Sequence, residues 1–108
     1  ADQSRVQLRK ITQRLLMSAF VHERLGRNQS AAEDLYLLAL AYYASGEQDV
    51  SVVEYNRKLK LAAEALERNL ALAPEGPSAK DTHHALAEVY VSLRQTELAE
   101  THRAKAQP

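Results

Sequence analysis

A chain of 108 residues is long enough for one domain that buries roughly two-thirds of the surface its unfolded form exposes. Apolar residues at 45% and charged residues at 26% sit near globular averages and exclude wholesale disorder, and few Gly and Pro among abundant Ala, Leu, Glu, Arg and Gln favour helix over strand. Fourteen Lys and Arg balance fourteen Asp and Glu, so no net field draws the chain to nucleic acid or an anionic membrane; the absence of Cys excludes a disulfide framework, a thiolate nucleophile and a zinc-thiolate site.

The expected fold class is all-α, with about five antiparallel helices. The first is predicted from about Arg5 to Leu25, with Leu8, Ile11, Leu15, Ala19 and His22 on one stripe. Ser4-x2-Gln7 reads as its capping box and Gly26 as its stop. Leu16, Met17, Phe20 and Val21 lie off the main stripe, which predicts that a second side of this helix is covered. Up to Arg27 the chain carries Arg5, Arg9, Lys10, Arg14, Arg24 and Arg27 against only Asp2 and Glu23, whereas Asn28 to Asp49 carries acids alone. Either neighbouring helices complement each other's charge, or the first helix presents a basic docking face.

The second helix, about Gln29 to Ser45, opens on Ser30-x2-Glu33 and is expected to stop at Gly46. It is apolar all round from Leu35 to Ala44, so it must be covered on several sides. That run is also the longest apolar stretch, far below the roughly 18 residues that cross a bilayer, so no membrane insertion is expected. The third helix, about Val50 to Ala73, has Asp49 or Ser51 as candidate cap and ends at Pro74-Glu75-Gly76-Pro77. The fourth, about Ala79 to Leu93, starts at Ser78-x2-Asp81; the fifth, about Thr96 to Ala106, is polar except for Leu98, Ala99 and Ala106. Short connections make consecutive helices antiparallel neighbours.

Two runs share one spacing, Leu35-x2-Leu38-Ala39-x2-Tyr42 and His83-x2-Leu86-Ala87-x2-Tyr90, and Ala62-x3-Leu66-x7-Pro74 lies between them. Together they resemble the tetratricopeptide repeat. The resemblance implies a right-handed superhelix of helical hairpins in which Ala39, Ala62, Ala87 and Ala99 let backbones approach closely. It divides the single domain 1–108 into a capping helix (1–26), a first repeat with an elongated second helix (29–76) and a second repeat (78–106). Leu35 and His83 are 48 positions apart against a family period of about 34; the excess is assigned to the third helix, which is expected to project. Leu15-x3-Ala19-x2-His22-x3-Gly26 fits the first helix as an A helix too, with His22 partly buried where the repeat has Tyr. The second helix cannot be both an A and a B helix, and the later pairing is preferred. With about three repeats normally needed for stability, the chain is expected to self-associate as a homodimer, to belong to a longer array, or to draw stability from its long helix.

Members of that family bind proteins. By the resemblance, Tyr36, Leu40 and Tyr43 of the second helix and His84, Glu88 and Val91 of the fourth face a groove for a protein or peptide partner, suited to apolar anchors and lacking the cations that clamp a terminal carboxylate. The alternative is that Tyr36, Leu40 and Tyr43 are core residues. His84 and Glu88 stand one turn apart and can share an ion, but two more ligands would have to come from elsewhere, so the pair reads as a surface hydrogen bond and no metal or cofactor is expected. With no Gly-rich phosphate loop and no nucleophile elbow, no catalytic residue is assigned. The arginines of the first helix have no interleaved aromatics, so no nucleic-acid partner is expected. The expectation is a non-catalytic adaptor or scaffold; the alternatives are a helical-bundle oligomer with a structural or metal-linked role around His83, His84 and Glu88, or the adaptor domain of a longer protein. Ala1-Asp2-Gln3 resembles an end left by signal cleavage, which tilts an otherwise unreadable compartment toward export or the periplasm.

Overall fold

The computed structural model describes residues 2–47 and 51–107. Among the described residues there are five helices and no strand: α1 (Asp2–Arg24), α2 (Asn28–Glu47), α3 (Val52–Leu72), α4 (Ala79–Ser92) and α5 (Thr96–Ala106). The principal contacts run in chain order, α1 on α2, α2 on α3, α3 on α4 and α4 on α5. The resulting slab measures 38 × 35 × 18 Å, and its short dimension holds two helix layers at interaxial spacings of about 8–10 Å.

A slab that thin has no deep centre, so its core is a series of helix–helix seams, and seams close best on small side chains. Alanine accordingly supplies most of the buried apolar positions, interleaved with Leu35, Leu38, Leu59, Leu66, Leu86 and Val89. Ala39, Ala62, Ala87 and Ala99 are all sealed, at 1–4% exposure. Leu59 and Leu66, one on either side of Ala62 and Ala63 on α3, fill the space between these close approaches.

Where the helices begin departs from the predicted caps. α1 starts at Asp2 and α2 at Asn28, so Ser4 and Ser30 fall inside the first turns and cap neither helix. Ser51 caps α3, its hydroxyl accepting the Glu54 N–H at 3.4 Å; Asp49 and the predicted start at Val50 lie outside the described residues. Ser78 holds the cap position of α4 but makes no capping bond. Its hydroxyl is spent on Asn69 instead.

Two helix ends share one device. At Gly26 (φ +73°) the Arg27 N–H reaches the His22 carbonyl at 2.8 Å and the Gly26 N–H reaches Glu23 at 3.1 Å. At Arg94 (φ +61°) the same pair of bonds recurs, Gln95 to Tyr90 and Arg94 to Val91. Both are left-handed C-terminal caps, the first on the glycine such a cap prefers and the second on an arginine that pays for its β-carbon. Gly46, expected as a third stop, is buried within α2, with Tyr55 Cδ1 and Lys58 Cβ of α3 at 3.4 and 3.5 Å from where a β-carbon would stand. Packing against α3 outweighs the propensity cost of about 1 kcal/mol for a helical glycine, and the helix runs through it.

At 21 residues α3 is about 32 Å long, and α1 with 23 and α2 with 20 match it. The extra length is thus common to three adjacent helices. On α1 only Ala19 is buried; Leu8, Leu15 and His22 are half-buried, and Leu16, Met17, Phe20 and Val21 are exposed. The expectation that a second side of α1 is covered is therefore not met among the described residues, where α2 is the one helix packed extensively on α1.

One polar side chain sits at the centre of the seams. Asn69, fully buried on α3, donates to the Ala32 carbonyl of α2 at 2.6 Å and to Ser78 Oγ at 3.1 Å, and accepts from the buried Thr82 hydroxyl of α4 at 3.0 Å. Asn69→Ala should cost about 3 kcal/mol, because it strands the Thr82 hydroxyl and removes a donor from Ala32; a fall in melting temperature of more than about 10 °C is the expected reading. Arg94→Gly should raise stability by about 0.5–1 kcal/mol, whereas Arg94→Ala, which keeps the β-carbon, should not. Denaturant titration of the two variants side by side checks this.

Candidate functional site

Five of the six residues predicted to face a partner divide between two depressions, and Tyr36 lines neither. Leu40 and Tyr43 of α2 and Glu88 of α4 meet around a groove of about 170 Å³ whose other walls are Ala39, Ala62, Leu66, Ala85 and Val89. The floor comes from α3, and it exists because Ala62 and Ala85 are too small to fill it. Leu40 is 46% exposed at its lip. Tyr43 is half-buried and packs on the core as it lines the wall, and Tyr36 also packs on the core. His84 and Val91 lie elsewhere: with Glu88 and Ala87 they border a shallow cleft against Arg103, Ala106 and Gln107. Glu88 is common to both depressions.

Sequence periodicity missed Leu37, an exposed neighbour of Leu40 on α2. The signal was present in the all-apolar run, which has more apolar residues than one helix can bury. The α3 contribution was missed because Ala62 and Leu66 were read only as packing residues; on a helix flanked by two neighbours the same residues also form the floor between them.

A second cluster joins α4 to α3 and α5. His83 Nδ1 is 2.8 Å from His102 Nδ1 of α5, with the ring centroids 5.0 Å apart. Those two distances place the nitrogens face to face near the line joining the rings, so one proton is shared: one Nδ1–H donates and the other Nδ1 accepts. His102 is buried. Its Nε2 lies 3.6 Å from Glu67 Oε1, and the other oxygen of Glu67 accepts the Tyr90 hydroxyl at 2.8 Å. The cluster borders an open cleft of about 790 Å³ that also includes Lys80, Lys105, Pro74 and Gly76. Burial first, and then the neighbouring His102 and Lys105, hold the His83 imidazole below its usual range, against the opposing pull of Glu67. Burial, and behind it the hydrogen bond and charge of Glu67, push the Tyr90 phenol up.

The sequence grouped His83 with His84 and Glu88, but the fold turns it to His102, nineteen residues on. Ala99, His102 and Ala106 follow helical spacing on α5, and a polar residue in that buried row was the available sign. His84 Nε2 lies 3.5 Å from Glu88 Oε1 with both side chains exposed, and among the described residues no three His, Asp or Glu converge as metal ligands. His22 is half-buried as expected, bonded to Asp34 Oδ2 at 2.8 Å and 3.4 Å from Ser18 Oγ. No helix among the described residues is long and apolar enough to cross a membrane.

No protein-family model matches this chain, and comparison with curated proteins and with solved structures finds no match either.

The His83–His102 pair accommodates one proton between its facing nitrogens but not two. The unfolded imidazole takes up its proton near pH 6.5 and folded His83 only at lower pH. The stability it contributes is therefore whole above about pH 6.5 and is lost as pH falls through the folded value. Melting temperatures measured between about pH 7.5 and 5 should fall more steeply for the wild type than for His83→Gln; equal slopes would remove the pair from the balance.

Proposed function

We propose that this chain is a small helical-repeat adaptor of the tetratricopeptide kind, which holds a segment of another protein in the α2–α3–α4 groove and performs no chemistry. The observation that carries this reading is the convergence of Leu40, Tyr43 and Glu88 around one apolar depression, from two helices separated in sequence by the whole of α3. Packing in chain order, a thickness of two helix layers and alanines at the close approaches support a stack of hairpins. A groove of that volume takes one bulky apolar side chain, so the partner is a peptide or amphipathic helix with one dominant anchor, and Leu40 at the lip covers its flank.

On this reading the chain holds too few hairpins to be comfortable alone. It works as a homodimer or as the interaction module of a longer protein. The helical bundle with a metal-linked role has less support, since His84 and Glu88 stand in solvent with no third ligand among the described residues.

Peptides selected from a random displayed library against the wild-type protein should share one large apolar anchor. Leu40→Arg should weaken them at least about tenfold, or 1.4 kcal/mol, with an unchanged melting temperature because the side chain is half in solvent. Selected peptides that bind Leu40→Arg as well as the wild type would place the binding surface elsewhere.

A further inference from the structure

The outer side of α1 carries the largest group of uncovered apolar side chains on one helix: Leu16, Met17, Phe20, Val21 and Leu25 just beyond its end, with Met17 at 63% and Phe20 at 59% exposure. A helix that merely ends a stack shows a polar face outward, and α5 does so at the opposite end. The apolar residues continue rows that begin with cations. Lys10, Arg14, Met17, Val21 and Arg24 follow one another at alternating steps of four and three, the spacing at which one helix presents a seam to another.

Among the described residues no carboxylate pairs with Lys10, Arg14 or Arg24, and the Arg24 guanidinium rests over the Phe20 ring, 5.7 Å from its centroid. Two acids on or beside α1 are engaged elsewhere, Glu23 with Arg68 and Asp34 with His22 and Ser18. Among the described residues the positive charge of Lys10, Arg14 and Arg24 thus stands unbalanced on the same face as the apolar patch.

We infer that this face of α1 docks an amphipathic helix of another protein, one with apolar residues at three- and four-residue spacing and Asp or Glu at both ends of that row, to meet Lys10 and Arg14 on one side and Arg24 on the other. A second copy of the chain fits poorly. An antiparallel pair centred between Met17 and Val21 opposes Arg14 to Arg24, and a parallel pair opposes each cation to itself. A membrane surface fits poorly as well, because Lys10 and Arg24 lie in the same rows as the apolar residues and would be carried below the headgroups with them. The inference is independent of the α2–α3–α4 groove.

The test uses the full chain and two synthetic helical peptides with one leucine seam, the first flanked by glutamates and the second by lysines. The acidic peptide should bind at least about tenfold more tightly than its twin and weaken as salt rises from about 0.05 to 0.5 M. Phe20→Ser and, separately, Met17→Ser should each lose most of that binding with the melting temperature of the wild type, since both side chains are exposed. Lys10→Glu/Arg14→Glu should reverse the preference between the peptides. Equal affinity for the twins, or no binding of either, overturns the proposal. So does binding to phosphatidylserine-containing vesicles in place of the acidic peptide, or sedimentation as a dimer that Phe20→Ser dissociates.

Discussion

The Asn69 carboxamide is the point on which the arrangement of α2, α3 and α4 depends. Burial of an amide is tolerable only when its donors and acceptor are met, and here each is met by a different place in the chain: the main chain of α2, the hydroxyl of Thr82 on α4 and the serine just before α4. Hydrophobic burial is non-directional and would accept α4 slid along α3 by a turn. The amide would not, because any slide leaves Thr82 unpaired in the dry seam. Alanine therefore sets how near the helices come, and Asn69 sets their register. The groove inherits that register, since its walls are Leu40 and Tyr43 on one side of α3 and Ala85, Glu88 and Val89 on the other.

That division explains which parts of the molecule could be read from the sequence. Helix number, approximate extent and the burial of Ala39, Ala62, Ala87 and Ala99 follow from period and composition, which are properties of single helices repeated along the chain. The caps followed only in part: Ser51 and Gly26 cap as expected, but other capping residues have other uses, since Ser78 serves Asn69, Ser4 and Ser30 lie within their helices, and Gly46 is held helical by its contact with α3. Pairings between helices were the least legible. Nothing local to His83 distinguishes His102 on α5 from His84 beside it, and only the turn at Arg94 decides the matter by bringing α5 back along α4. The site was half legible for the same reason. Leu40, Tyr43 and Glu88 converge because α3 separates their helices by one diameter, whereas His84 and Val91 face α5.

The two polar clusters have different physical characters. Asn69 is neutral, saturated and insensitive to pH, which suits a register pin. The group formed by His83, His102, Glu67 and Tyr90 joins three helices with titratable atoms at the border of an open cleft. Its cohesion depends on protonation: one proton between the imidazoles links α4 to α5, and His83, whose pKa the fold lowers, resists taking up a further one. α5 is short and its principal contact is with α4, and this cluster ties it to α4 through His83 and to α3 through Glu67. Acid should therefore loosen the C-terminal end of the row before the middle, where Asn69 holds.

The ends of the row also differ in what they leave uncovered. α5 buries Ala99 and His102 and turns mostly polar residues outward, with Leu98 its exposed large apolar side chain. α1 buries Ala19 and leaves Leu16, Met17, Phe20 and Val21, with Leu25 just beyond its end, in water on its outer side, each of which would release on the order of 1 kcal/mol or more on being covered. Widespread apolar exposure is normal on a folded surface, but exposure concentrated on one helix, in rows that also hold unpaired cations, is not what chance placement gives. The solvent-facing cations keep such a face soluble and discourage its pairing with its own kind, yet they add to the attraction of any acidic helix that fits the seam. Charge of one sign set around an apolar patch thus does two things at once: it prevents the obvious association and selects a different one.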